Sequence, residues 1–158
     1  MANGDDPAAI RRRWHDLAGS GLPLEVESVF RETDGYLARR ANEARAKLLR
    51  ALAPLLARAL EPEETIRYVA TGFRYSAAEL FLSGHLAARA ANRTALVLTD
   101  RRLLFLQVDA GGGPKDLKYQ LRVGRVRRAS GSWLGSLTLQ TVSREKLVFT
   151  SVPRADRN

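Results

Sequence analysis

The amino-acid sequence predicts an α+β protein in which a helical N-terminal part precedes a β-rich remainder. Two patterns predict this class. Between residues 30 and 60, apolar side chains recur at steps of three and four residues, the spacing of one helix face. From residue 65 onward, short segments alternate apolar and polar side chains between turn residues, as antiparallel strands do. With 158 residues, of which 45% are hydrophobic, the chain is long enough to bury a core.

Three regions follow from these patterns. Residues 1–24 carry several Gly and Pro residues around one short helix-like piece. This region is predicted to be a flexible arm whose Trp14 and Leu17 are available for docking. Residues 25–61 are predicted to form an amphipathic helical segment, and residues 62–158 are predicted to form a β domain.

The helical segment carries a predicted apolar stripe, and the arginines and lysine of this segment fall mostly off it. The stripe comprises Phe30, Leu37, Ala41, Ala44, Leu48, Leu52, Leu55 and Ala59. Gly35 is expected to separate an opening piece from the main helix. Pro54 is expected to kink the helix or restart it, since proline removes a backbone donor and crowds the preceding turn. Because such a stripe must pack against something, we expect it to contact a protein partner or a second copy of the chain through Phe30, Leu37, Leu48, Leu52 and Leu55.

The β domain is predicted to contain seven short strands. Five segments alternate apolar and polar residues, namely 65–72, 117–123, 125–130, 136–142 and 146–152. The other two, residues 94–99 and 103–108, are almost wholly apolar and are predicted to form a hairpin across the middle of a sheet. A capping-box pattern, SAAE at residues 76–79, predicts one inserted short helix between the first two strands. This spacing is typical of a small barrel or of two packed sheets. The glycines of DAGGGPKD are interpreted as a loop tip, because Pro114 and a strand follow where a phosphate-binding loop needs Lys-Ser or Lys-Thr and a helix.

Four segments of the β domain carry a family pattern, namely TALVLTDRRLLFLQV, EPEETIRYVATG, LQVDAGGGPKDLKYQL and GRVRRASGSWLGSLTLQT. They resemble bacterial pleckstrin-homology-like (PH-like) domains of the YokE-like group, which is close in pattern to GRAM domains. This resemblance covers about residues 63–152. It implies two antiparallel sheets folded into a partly open barrel or sandwich. It also implies that Thr99 and Asp100 stabilise their turn by local side-chain to backbone hydrogen bonds, while Arg101 and Arg102 point into water.

The resemblance further implies a C-terminal helix that closes one end of the barrel. That helix would begin at SVPRADRN, residues 151–158, and it is missing from this sequence. We therefore expect the chain to be a fragment of a longer protein. The alternative is that the apolar stripe of residues 30–60 covers the open end.

No combination of residues predicts an enzyme. The sequence has no cysteine, and its two histidines, His15 and His85, are not in a metal-ligand spacing. A Gly-x-Ser-x-Gly elbow is absent, and the carboxylates of the second half are few and lie mostly in turns. The sequence thus predicts no catalytic residues, no metal site and no cofactor.

The charge of +9 is concentrated in the second half of the chain. Residues 1–62 carry ten Lys or Arg against nine Asp or Glu, whereas residues 63–158 carry 16 against eight. Such a balance favours an anionic partner, although a solvated surface without a partner has the same composition. The candidate residues for an anionic surface are Arg101, Arg102, Lys115, Lys118, Arg122, Arg125, Arg127 and Arg128.

These features predict a non-enzymatic PH-like interaction module that binds a protein partner and self-associates through its N-terminal helix. The alternative is peripheral attachment to an anionic membrane surface through the basic residues. Specific nucleic-acid binding is disfavoured, since the strands lack the exposed aromatic stacking set of RNA-recognition or single-strand-binding sheets, for which Tyr119 is the candidate amid the basic cluster. No small-molecule substrate is predicted. No apolar run is long enough to span a bilayer and no secretory signal opens the chain, so the expected location is the cytoplasm or the inner face of the membrane.

Overall fold

Three α-helices precede seven β-strands in the part of the chain that the structure, a computed structural model, describes. That part comprises residues 6–19, 21–30, 36–74, 93–109, 113–131, 137–144 and 146–150. The helices are α1 (Pro7–Ala18), α2 (Val26–Val29) and α3 (Tyr36–Ala59). The strands are β1 (Ile66–Arg74), β2 (Arg93–Thr99), β3 (Arg102–Val108), β4 (Pro114–Arg122), β5 (Val126–Gly131), β6 (Leu137–Thr141) and β7 (Lys146–Thr150). The predicted α+β class is confirmed.

The strands are all antiparallel and follow the order β4-β3-β2-β1-β7-β6-β5. Each segment predicted as a strand overlaps one of them. The strands β1 to β4 form one meander, and β5 to β7 form a second. Two residue pairs join the meanders, Phe73 with Thr150 and Arg74 with Phe149. The other end of β1 forms a parallel bridge, between Ile66 and Leu24.

The two strands at the ends of this order, β4 and β5, are separated in sequence by only the 3₁₀ turn Val123–Arg125. A sheet whose outermost strands are joined so closely must curve back on itself. Side chains on one face of the first meander accordingly pack against the second. Ala70, Leu96 and Phe105 share a core with Leu139 and Leu147.

The opposite face of the first meander packs against the helices. Val97, Leu104 and Leu106 belong to a core that also contains Leu49 and Leu56 of α3. Both faces of β2 and β3 are therefore covered, which explains why these strands are almost wholly apolar. Alternate residues of β2 and β3 pack into the two cores, since successive side chains of a strand point to opposite faces.

The helix α1 belongs to this same core. Trp14 and Ala18 are buried there, together with Leu22, which follows the helix. Asp6 caps the start of α1, where its Oδ1 accepts a hydrogen bond of 3.1 Å from the Ala8 amide. The expected docking of Trp14 is confirmed, whereas the expectation of a flexible arm is corrected for this helix, because its apolar side is packed against the rest of the chain.

The buried face of α3 differs in phase from the predicted stripe. Its buried positions are Asn42, Arg45, Ala46, Leu49, Leu52 and Leu56. Ala44 of the predicted stripe is exposed, and Leu48 and Leu55 are only half-buried. Adjacent leucines at 48–49 and 55–56 allow two apolar faces about 100° apart, and the sheet selects one of them.

Proline does not interrupt α3. The helix runs from Tyr36 to Ala59 with Pro54 inside it, so the predicted restart at Pro54 is wrong. The side chain of Pro54 is exposed, and its carbonyl accepts a hydrogen bond of 3.1 Å from Arg58 Nε.

Several predictions concern residues outside the described part of the chain. These are Gly35, the inserted helix after residue 76, His85, the three glycine-loop residues 110–112, Trp133 and the C-terminal residues 151–158. The side chains of Leu17 and Leu37 also lie outside that description.

Candidate functional site at the turn end of the sheet

The turn that links β2 and β3 begins with a hydrogen-bonded threonine. Thr99 Oγ1 accepts hydrogen bonds from the backbone amides of Arg101, at 3.2 Å, and Arg102, at 2.9 Å. The expected local role of Thr99 is confirmed. Asp100 acts differently, because its Oδ1 accepts from the Thr65 amide at 3.0 Å and its own amide donates to the Thr65 carbonyl at 3.0 Å. Asp100 thus connects this turn to the residue before β1.

Arg102 is buried, and the expectation that it points into water is wrong. It lies two residues before Leu104 on β3, on the face that packs against the helices. Its Nη2 lies 2.7 Å from Glu64 Oε2 and its Nε 2.9 Å from Glu64 Oε1. Nη2 also donates to the Ala59 carbonyl at 2.6 Å, and Nη1 donates to Gln120. The planar guanidinium satisfies partners on three elements at once.

Glu64 is fully buried and receives four hydrogen bonds. Besides the two from Arg102, its Oε1 accepts from the Thr99 hydroxyl at 2.6 Å and its Oε2 from the Glu61 amide at 2.8 Å. Burial by itself would raise the pKa of Glu64, but the hydrogen bonds from Arg102 and Thr99 outweigh burial and lower that pKa to about 2. The hydrogen bond to Glu64 in turn raises the pKa of Arg102.

This ion pair is therefore charged at neutral pH and closed to solvent. A carboxylate in that state has no proton to donate and no exposed oxygen with which to contact a ligand. The pair instead joins the end of α3, the start of β1, the β2–β3 turn and β4. The TDRR motif is thus mainly architectural, and the surface chemistry of this region comes from other residues.

Three connections lie together at this end of the sheet. In an antiparallel meander every second connection falls at the same end. Here these are the β2–β3, β4–β5 and β6–β7 turns. The Val123 amide donates to the Arg101 carbonyl at 3.1 Å, and the Val142 amide donates to the Arg125 carbonyl at 2.9 Å. The three turns are therefore tied by backbone hydrogen bonds.

Two of these turns carry an exposed surface of arginine and valine. Val123 is 43% exposed and Val142 is 63% exposed. The arginines Arg122, Arg125 and Arg144 beside them are exposed as well. We call these five residues the turn-end surface. It contains two apolar and three cationic side chains, and Glu145, which follows Arg144, lies outside the described residues.

The structure divides the eight predicted basic residues. Arg122 and Arg125 belong to the turn-end surface, and Arg127 and Arg128 are exposed at the start of the adjoining strand β5. The other four residues are Arg101, Arg102, Lys115 and Lys118.

These four are placed differently. Arg101 faces Glu61, with 3.5 Å between Nη1 and Oε2, and Arg102 is buried. Lys118 lies in mid-strand, where its Nζ is 3.8 Å from Asp116 Oδ2. Lys115 is near the opposite end of β4, roughly 20 Å from the turns by strand length.

Val123, Val142 and Arg144 were not predicted as site residues. The alternation pattern placed both valines within strands, but β4 ends at Arg122 and β6 at Thr141, one residue earlier in each case. That single-residue difference moves each valine into a turn, where no neighbouring strand covers it. The sequence signal that bears on this is the turn residue after each valine, Gly124 or Ser143.

The predicted protein-contact residues are largely occupied within the chain. Phe30 and Leu52 are fully buried, and Leu48 and Leu55 are half-buried against the same core. The interpretation of Phe30 and Leu52 as a self-association surface is therefore corrected, because these side chains pack between the helices and the sheet. The side chain of Leu37 lies outside the described residues.

Two further features are absent from the described residues. These residues contain no cluster of three or more His, Cys, Asp or Glu residues able to hold a metal ion. They also contain no helix with the length and apolar character needed to cross a membrane.

In comparisons with known proteins, the chain matches no protein-family model and no curated protein sequence.

Proposed function

We propose that the chain is a non-enzymatic PH-like module that attaches peripherally to an anionic membrane surface, at the inner face of the cell membrane. Two features of the fold support the PH-like part of this proposal. The two meanders face each other across a shared core, and the strand order is open between β4 and β5. A partly open barrel of two antiparallel sheets is what the resemblance over residues 63–152 implies.

The observation that carries the membrane proposal is the set of exposed arginines around the β4–β5 turn. Arg122, Arg125, Arg127 and Arg128 lie within seven consecutive residues, and all are exposed. Arg144 reaches the same end of the molecule from the β6–β7 turn. Each cationic residue near an anionic leaflet contributes about 1 kcal/mol of binding free energy. Several arginines on one end are therefore enough for reversible attachment.

Two exposed acidic residues of this end lie apart from the arginines, which gives the attachment an orientation. Glu61 and Glu63 are exposed in the connection between α3 and β1. Arg101 lies between the two regions and pairs with Glu61. Asp100 is exposed in the β2–β3 turn, and Glu145 lies outside the described residues. An anionic surface attracts the arginine side and repels the acidic side, so the β4–β5 and β6–β7 turns approach it first.

The test is flotation of the protein with vesicles of phosphatidylcholine alone and with vesicles of equal parts phosphatidylcholine and phosphatidylglycerol. We expect flotation with the second composition only, at about 0.15 M salt, where charges act over about 8 Å. Arg122→Glu with Arg125→Glu is expected to abolish it. Arg39→Glu with Arg50→Glu is the matched control, because it makes the same charge change at exposed positions of α3.

Two results would count against the proposal. If the unmodified protein does not float with anionic vesicles, the basic surface has another role. If both double variants lose flotation equally, total charge is sufficient and the turn end has no special part. Binding of duplex DNA that falls steeply with salt would indicate a general polyanion surface.

A protein-interaction module is the second candidate, and the two outer strands favour it. Within the described residues, β4 pairs only with β3 and β5 only with β6. Each therefore has one edge at which an extended segment of a partner or of a second copy can add a strand. Light scattering over a range of concentrations tests self-association, and a constant mass of one chain would argue against it.

A further inference from the structure

We infer that Val123 and Val142 form a two-point apolar anchor that enters the membrane interface when the turn-end surface binds. This inference rests on the proposed function and goes further. It assigns the apolar part of the binding free energy to Val123 and Val142, which are not among the eight predicted basic residues. It also specifies what the surface recognises.

The first observation is the exposure of these side chains. Among the described residues, three large hydrophobic side chains are exposed, namely Tyr36, Val123 and Val142. Two of the three lie on adjacent turns at the same end of the sheet. The third, Tyr36, lies against a cationic side chain of its own helix, since the Arg40 guanidinium is 5.7 Å from the centre of the Tyr36 ring. Solvent-exposed valines grouped at one end cost free energy in water unless another surface covers them.

The second observation is that the two valines are held on one scaffold. The Val142 amide bonds to the Arg125 carbonyl at 2.9 Å, and Val123 begins the 3₁₀ turn that ends at Arg125. The Val126 amide closes that turn by donating to the Val123 carbonyl. The two tips are thus part of one hydrogen-bonded unit. Little conformational entropy is lost when both enter the same surface, which favours binding.

The third observation is the cationic setting of the valines. Arg122 and Arg125 lie on either side of Val123 in the sequence, and Arg144 follows Val142 by two residues. All three arginines are exposed. An apolar tip among guanidinium groups suits the bilayer interface, where the tip reaches the boundary with the acyl chains and the guanidinium groups meet phosphates.

This arrangement implies recognition without headgroup stereochemistry. The turn-end surface consists of the tips of turns, so it contacts a lipid surface from above. Its arginines respond to charge density and its valines to accessible acyl surface. We therefore expect phosphatidylglycerol, phosphatidylserine and phosphatidic acid to support similar binding at equal surface charge.

The experiment measures partition onto vesicles of equal parts phosphatidylcholine and phosphatidylglycerol. Val123→Ser with Val142→Ser is expected to weaken partition about tenfold, since half-exposed valines bury modest apolar area. Val123→Leu with Val142→Leu is expected to strengthen partition. Tyr36→Ser, the control at an exposed apolar position on α3, is expected to leave it unchanged.

The outcomes distinguish this inference from the proposed function. If the unmodified protein binds anionic vesicles and both valine variants bind equally well, the anchor is refuted while attachment by charge stands. If the unmodified protein does not bind, the proposed function fails and the anchor fails with it. An equal loss in the Ser and Leu variants would also refute the anchor, because the loss would then reflect disturbed turns. Urea midpoints of the variants identify such a disturbance directly.

Discussion

Arg102 and Glu64 form a two-point ion pair beneath the β2–β3 turn, with Nη2 to Oε2 at 2.7 Å and Nε to Oε1 at 2.9 Å. Glu64 is 0% exposed and Arg102 is 8% exposed. Two charges removed from water are tolerated only when their hydrogen-bonding atoms are satisfied. Here the remaining atoms are satisfied by Thr99, Gln120 and two backbone groups.

We predict that Glu64→Gln destabilises the protein by about 3 kcal/mol, because it leaves the buried Arg102 charge with only the half-exposed carboxylate of Glu61, 3.6 Å from its Nη1, as a counter-charge. Urea denaturation measures the change as a lower midpoint. The double variant Glu64→Leu with Arg102→Met is expected to lose less than Glu64→Gln, since neither charge is then left unpaired. If the double variant is less stable than Glu64→Gln, the intact ion pair contributes more to the free energy of unfolding than the two apolar side chains that replace it.

The same pair predicts how stability depends on pH. The pKa of Glu64 is lowered from 4.5 to about 2 in the folded protein. Its stabilising contribution is therefore complete above pH 4.5 and is lost as the pH falls from 4.5 through 2. That contribution is on the order of 3 kcal/mol. Denaturation at several pH values is expected to show a steeper acid loss in the unmodified protein than in Glu64→Gln, and parallel curves would exclude Glu64 as the cause.

We predict that Thr99→Val costs about 2 kcal/mol, although the two side chains have nearly the same shape. The substitution removes the hydroxyl that accepts from the Arg101 and Arg102 amides and donates to Glu64. Buried groups left without a partner cost about 1 to 3 kcal/mol each. Thr71→Val in β1 is the matched control, because Thr71 is a half-buried strand residue. Equal midpoints for the two variants would contradict a specific role for the Thr99 hydroxyl.

The phase of α3 predicts unequal effects at two neighbouring leucines. Leu49 is fully buried, whereas Leu48 is half-buried. Leu49→Ala is expected to cost about 3 kcal/mol through lost burial and a residual cavity, and Leu48→Ala about half of that. Thermal or urea denaturation of the two variants provides the comparison. A larger loss of stability for Leu48→Ala than for Leu49→Ala would support the buried helix face that the sequence predicted.

Continuous apolar runs were sufficient to locate β2 and β3, whose two faces are both covered. Alternation of apolar and polar residues was sufficient to locate the other described strands, because a strand with one face turned to a core must repeat every two residues. It was not sufficient at their ends. Val123 and Val142 continue the alternation, yet each lies one residue beyond its strand. Where a strand ends depends on where its partner ends, and that pairing is not visible in a local pattern.

The charge of a residue was the least informative predictor of whether its side chain is exposed or buried. Arg102 was expected to point into water and is buried, at 8% exposure, and Arg45 of the helical segment is buried as well, at 3% exposure. An arginine is buried when partners from distant segments meet it, and Glu64 is 38 residues from Arg102. Such partners are unknown until the fold brings them together. The same limit applied to α3, where adjacent leucines supported two faces and only the sheet decided between them.

The division of the main core between early and late segments has a consequence for synthesis. Trp14, Leu49 and Leu56 leave the ribosome with the helices, whereas Val97, Leu104 and Leu106 follow dozens of residues later. Until β2 and β3 emerge, the apolar face of α3 has no sheet to cover it. A nascent chain paused after α3 therefore exposes this apolar face, which makes the chain a substrate for chaperones that bind apolar segments.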